Sequence, residues 1–146
     1  MTAFRVGIAG LGTVGATVAR IVIAQGEALA ARCGRTLQVT AVSARDKRRD
    51  RGVPLSRIEW FDDPVALAKS APIDVFVELM GGEGGAAKAS VEAALVRGLP
   101  VVTANKALLA HHGAGLAKIA EAKNLALNFE AAVAGGIPIK IGRAHV

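Results

Sequence analysis

Gly10, Gly12 and Gly15 stand in the pattern G-x-G-x-x-G, directly after the apolar run FRVGIA and directly before a run with helical spacing. Each position has a physical use. The first permits a tight turn, the second lets the backbone approach a pyrophosphate, and the third allows close packing of a helix on a strand. The helix start then offers free N–H groups to the anion. A tight turn needs no ligand, so the spacing alone also fits a purely structural turn; its strand-turn-helix setting favours dinucleotide binding.

The next apolar run ends VSARDKRR. At that place a carboxylate would hold a free ribose 2′-hydroxyl, whereas a cation accommodates a 2′-phosphate. Arg45 is placed to pair with a phosphate and Lys47 and Arg48 add to the field, so NADP is the expected cofactor. Asp46 keeps NAD open, and a solvated basic loop is the plain alternative. Lys106 follows the run PVVT at its carboxyl end, where open α/β sheets place their ligands. The pair His111-His112 is expected to be solvated, because adjacent histidines point to different helix faces and no Cys or Glu lies at ligand spacing. Cys33 has no neighbouring base in sequence and is expected to be inert.

These residues need elements to hold them. Phe4 to Ala9 reads as a strand and ATVARIVIAQGEALAAR as one helix, with Val14, Val18, Ile21, Val22 and Leu29 at helical spacing. Leu37 to Val42 is a second strand. Asp63 caps a helix that Pro64 opens, and Trp60-Phe61 packs under the loop before it. Ile73 to Leu79 is a buried strand halting at Gly81-Gly82, AAKASVEAALVRG a helix closed by Gly98, and Pro100 to Thr103 another strand. Helix resumes from about His112, and LALNFEAAV is a further strand running into AGGIP. Strands alternating with helices imply an α/β fold with a doubly wound parallel sheet.

Composition narrows the classes. At 146 residues one domain with a core is the prior, and with aromatics at only 3% that core must be built from Ala, Val, Leu and Ile. A single cysteine excludes an internal disulfide and fits a reducing cytoplasm. No window approaches the 18 or so unbroken apolar residues of a membrane span, and no signal peptide is evident, so neither membrane nor secretion is expected. The net charge of +6 is concentrated in ARDKRRDRGVPLSR, which Asp46 and Asp50 interrupt and no aromatics interleave, so nucleic acid is not the expected partner.

Taken together, GIAGLGTVG, VELMGG, VVTANKALLA and FEAAVAGGIP resemble homoserine dehydrogenase, with motifs in the expected order over residues 4 to 139. The resemblance implies a Rossmann-type NAD(P)-binding domain and interconversion of L-homoserine and L-aspartate 4-semialdehyde, on the way to threonine, methionine and isoleucine. It puts Leu11, Thr13 and Val14 with the glycines around the pyrophosphate, Arg45 near the adenosine ribose and Gly81 near the nicotinamide side. It makes Lys106 catalytic as well as cofactor-adjacent; oxidising an alcohol requires removal of its hydroxyl proton, and a lysine can be the base or part of its relay. It also implies a monovalent-cation loop, with the Glu130 carboxylate and the carbonyls of Val133, Gly135 and Ile137 suited to sodium. That segment equally reads as a plain strand-to-loop hinge. A small-molecule substrate and a homo-oligomer are implied as well. Two other readings share the glycine turn: another NAD(P)-dependent amino-acid or semialdehyde oxidoreductase, and a non-catalytic nucleotide-binding module in which Lys106 would be dispensable.

The ending is read separately. Residues 1–139 are expected to form the NAD(P)-binding domain running into the start of a catalytic domain that is otherwise missing. Residues 140–146 are expected to be a non-native tail, because Ile-Gly-Arg-Ala-His-Val is what a common sequencing-library adapter, ATC GGA AGA GCA CAC GTC, encodes; a genuinely divergent tail is the plain alternative.

Overall fold

The computed structural model describes residues 2–129. Strand β1 (Phe4–Ala9) passes through the glycine turn into helix α1 (Thr13–Ala24), which bends into α2 (Gly26–Cys33). Then come β2 (Leu37–Ser43), β3 (Glu59–Phe61), α3 (Pro64–Ser70), β4 (Val75–Glu78), α4 (Gly85–Arg97), β5 (Val101–Thr103), α5 (Lys106–Ala122) and β6 (Leu127–Asn128). The six strands are all parallel, in the order β3-β2-β1-β4-β5-β6. Chain direction across the sheet reverses between β1 and β4. That is the topological switch point, where the first loops diverge to opposite faces and open a crevice beyond the carboxyl ends of the strands. The expected doubly wound α/β sheet is the one observed.

Alternation along the strands builds a core on each face. Val6 and Ile8 of β1, Val39 and Val42 of β2, and Val75 and Val77 of β4 cluster with Leu11 and with Ala19 of α1. On the other face Ala9, Ala41, Phe76 and Val101 pack with Leu67 and Ala68 of α3, Val91, Ala94 and Leu95 of α4, and Leu108, Leu116 and Ala120 of α5. Alanine at so many contacts lets helices approach the sheet closely, which is how a chain poor in aromatics fills its interior. A bulge in β2 opposite Val6 and Gly7 inserts Thr40 and allows Val39 and Val42 to face the same side.

Three elements differ from the sequence reading. The long first helix is two helices bent by 82°, because the backbone leaves helical geometry at Gln25 and Gly26 follows. Val14 and Ile21 are exposed, and the buried stripe of α1 is Gly15, Ala16 and Ala19. Trp60-Phe61 lies in an edge strand rather than only under a loop, paired with Val42 and Ser43 of β2. Helix α5 begins at Lys106 rather than near His112, because the Asn105 side chain accepts from the Leu108 N–H at 3.0 Å and starts the helix two turns earlier. Among the described residues no single helix is long and apolar enough to cross a membrane.

Candidate functional site

The glycine turn sits where β1 meets the switch point. Gly10 has φ +101°, and a Cβ there would come within 2.7 Å of the Leu79 carbonyl and 2.8 Å of the Met80 nitrogen. A Cβ on Gly15 would overlap the Gly10 carbonyl oxygen. Both glycines are therefore required by the packing of β1, β4 and α1 on one another. Gly12 is not: a Cβ on it would meet nothing within 4 Å, and its φ of −72° suits any residue. The structural alternative thus accounts for two of the three glycines. For Gly12 it supplies no reason, whereas close approach of a pyrophosphate does.

The neighbours fit the same reading. Gly12 brings no side-chain cap to α1, unlike Asp63 at α3 and Asn105 at α5, so the first-turn N–H groups keep no side-chain acceptor. Leu11 is buried and offers the crevice only its backbone, while Thr13 opens the helix. Val14 is 55% exposed, a large apolar side chain at the mouth of the crevice.

At the end of β2 the basic stretch folds on itself. Asp46 accepts from the Arg48 N–H at 3.0 Å and from the Arg48 guanidinium at 3.5 Å. Arg51 donates to the carbonyls of Asp46 and Arg49, lies over the Trp60 ring at 5.7 Å, and offers its own carbonyl to Arg20. Arg51 and Arg20 hold the loop, and the half-exposed Asp46 carboxylate bonds to Arg48 within it. Arg45, next to the buried end of β2, is exposed and has no ion-pair partner among the described residues.

Beyond β4 and β5 lies a network that the sequence reading did not single out. Glu78 and Thr103 are register partners on adjacent strands, both buried. One Glu78 oxygen accepts from the Met80 N–H at 2.7 Å and the Gly81 N–H at 3.3 Å; the other accepts from the Thr103 hydroxyl at 2.6 Å. Thr103 in turn accepts from the Asn105 N–H at 3.0 Å, and the Asn105 amide donates to the Gly82 carbonyl at 2.6 Å. Gly81 and Gly82 have φ of +84° and +87°, a backbone path that this network holds in place. Lys106, exposed, is the first residue of α5 directly after that cap. A glutamate inside the apolar run VFVEL was the available signal, since a carboxylate at a strand's buried face needs partners.

Gly10, Gly12, Gly15, Gly81 and Lys106 are thus brought to the same end of the sheet, with Arg45 at the end of neighbouring β2. His111 is exposed as expected, but it also pairs with Glu83 of the loop after β4 at 3.0 Å. Cys33 is exposed. Glu130, Val133, Gly135 and Ile137 lie outside the described residues, and among those described no three His, Cys, Asp or Glu side chains gather as a metal site would need. An apolar cavity lined by Val22, Ile23, Ala30, Leu37 and Ile58 lies beside the start of β2 and includes none of the predicted site residues.

Residues 10–130 match the family described as homoserine dehydrogenase, NAD binding domain. A homoserine dehydrogenase of Mycobacterium tuberculosis is 45% identical over 134 residues, covering 92% of this chain and 30% of that protein. The crystal structure of a homoserine dehydrogenase from Thiobacillus denitrificans superposes with a TM-score of 0.84 at 36% identity, over 95% of this chain and 32% of that one. A hyperthermophilic archaeal homoserine dehydrogenase in complex with NADPH shares the fold, with a TM-score of 0.74 at 23% identity over 94% of this chain and 47% of that one. The chain spans about a third of the length of the curated relatives it matches.

Proposed function

The chain belongs to the homoserine dehydrogenase family and carries its NAD-binding domain, and from that premise we propose that it is the nucleotide-binding part of an enzyme interconverting L-homoserine and L-aspartate 4-semialdehyde with NADP. One observation carries this reading. Three loops, Gly10–Gly12, Leu79–Gly82 and Ala104–Asn105, the last leading into Lys106 of α5, converge beyond the carboxyl ends of β1, β4 and β5, which is where a dinucleotide lies across an open sheet.

The residues present fit such a cofactor. Gly12 leaves room at the turn, the first turn of α1 offers N–H donors for a pyrophosphate, and Arg45 can pair with a 2′-phosphate. Asp46, which would favour NAD, is engaged with Arg48 in its own loop, and this supports NADP. When bound, the nicotinamide supplies the hydride acceptor. In this reading Lys106 takes up the hydroxyl proton as the alcohol becomes a carbonyl. The resemblance adds a sodium ion held by Glu130 and the carbonyls of Val133, Gly135 and Ile137, and homo-oligomeric assembly, and both belong to the proposal.

The test joins residues 1–139 to the remainder of the Mycobacterium tuberculosis relative and follows NADPH formation from L-homoserine. The chimera is expected to be active, and Lys106→Ala to lower kcat by roughly a hundredfold or more, the scale of general-base catalysis. An inactive but folded chimera, or one indifferent to Lys106→Ala, would count against the assignment.

A further inference from the structure

Glu78 is fully buried beneath the convergence of the three loops, and a carboxylate there is not needed to hold β4 to β5. Apolar register partners would serve packing at least as well, because burying a charged or polar group costs free energy unless every lone pair finds a donor. Here all the bonds but one end on the loops, and that one, between Glu78 and Thr103, links the two strands and passes the network on to Asn105. Glu78 accepts from Met80, Gly81 and Thr103; Thr103 accepts from Asn105; Asn105 donates to Gly82. The donors of Met80 and Gly81 are thereby turned down into the protein. The loop after β4 and the start of α5 become one body whose upper surface is the Gly81-Gly82 backbone and Lys106.

The place of that body follows from the sheet. If the adenosine end of a dinucleotide lies at the end of β2 and the pyrophosphate at the glycine turn, the other half must extend across the switch point, over the ends of β4 and β5. Resting on the nucleotide-site reading above, we propose that Glu78 and Thr103 are positioning residues for the nicotinamide half of the cofactor. They set the loop from Met80 to Gly82 against Lys106 and make no contact with the adenosine half.

The measurement uses this chain and two probes, NADPH and adenosine 2′,5′-bisphosphate, with thermal melting alongside. Thr103→Val keeps the shape and removes the hydroxyl; Thr103→Ser keeps the hydroxyl. The Val variant is expected to bind NADPH about tenfold more weakly, the scale of an unpaired buried hydrogen-bonding group. It should bind the bisphosphate like the parent, and the Ser variant should restore NADPH binding. Glu78→Gln should show the same split, since its amide offers one acceptor oxygen where two are used. Unchanged NADPH binding by Thr103→Val, or equal weakening toward both probes, would overturn the inference while leaving the nucleotide site standing. A parent chain that binds neither probe would overturn the site reading and this inference with it.

Discussion

A Cβ on Gly15 would overlap the carbonyl oxygen of Gly10, so helix α1 can lie on β1 only if residue 15 has no side chain. Gly15→Ala is therefore expected to cost about 1–3 kcal/mol of stability, the usual scale for overpacking, and to weaken NADPH binding as α1 shifts. Gly12→Ala meets no neighbour. It should melt like the parent and still lose nucleotide affinity. Equal nucleotide binding by Gly12→Ala and the parent would leave the middle glycine without a ligand to explain it.

Arg45→Ala separates the two nicotinamide cofactors. Losing a charge-assisted contact to the 2′-phosphate should weaken NADPH roughly tenfold or more, with NADH unchanged, in a calorimetric titration. Equal losses for both would mean that Arg45 acts on the loop rather than on the phosphate.

Asp63 accepts from the Val65 N–H at 2.9 Å, with Pro64 in the first helical position. Replacing it by Ala should remove about 1 kcal/mol and lower Tm by about 2–4 °C. Although β3 ends beside the end of β2, among the described residues Asp63 bonds only to N–H groups of its own helix, so NADPH affinity should stay at the parent value, which makes this variant a control for stability effects on binding.

The Arg5 guanidinium and backbone N–H both donate to Asp74, at 2.8 to 3.1 Å, joining the starts of β1 and β4. The side-chain bond first, and the backbone bond after it, hold the Asp74 carboxyl below its ordinary range, against a small opposing effect of burial. A carboxyl depressed in the folded state contributes stability that is complete above its unfolded pKa and is lost as pH falls through the folded one. Asp74→Asn should thus melt below the parent at pH 7, by a small margin because the pair is near solvent. The gap should close below about pH 4. A gap that does not vary with pH would assign the effect to the hydrogen bonds alone.

Much of this was legible in the chain itself. Short-range signals are local chemistry: alternation in FRVGIA, Gly98 closing a helix, the Asp63-Pro64 start, and G-x-G-x-x-G between strand and helix. They fixed the α/β class, the glycine turn, the Arg45 loop and the place of Lys106. The bend at Gln25 and the early start of α5 were missed for a related reason, since a helix boundary is decided by a few bonds, such as Asn105 to Leu108, that compete with glycines further along.

What no local reading reaches is a relation between residues distant in sequence. That Glu78 faces Thr103 depends on β4 and β5 pairing in one register, and that Arg51 reaches both the Asp46 carbonyl and the Trp60 ring depends on how their loop closes. Whether Gly10 and Gly15 are needed by the fold and Gly12 is not depends on which backbones come close in space. The sequence by itself determined the periodicities and the residue types available for chemistry. Only the tertiary structure decided which of those residues meet, because strand pairing and helix packing bring together groups that the chain keeps far apart.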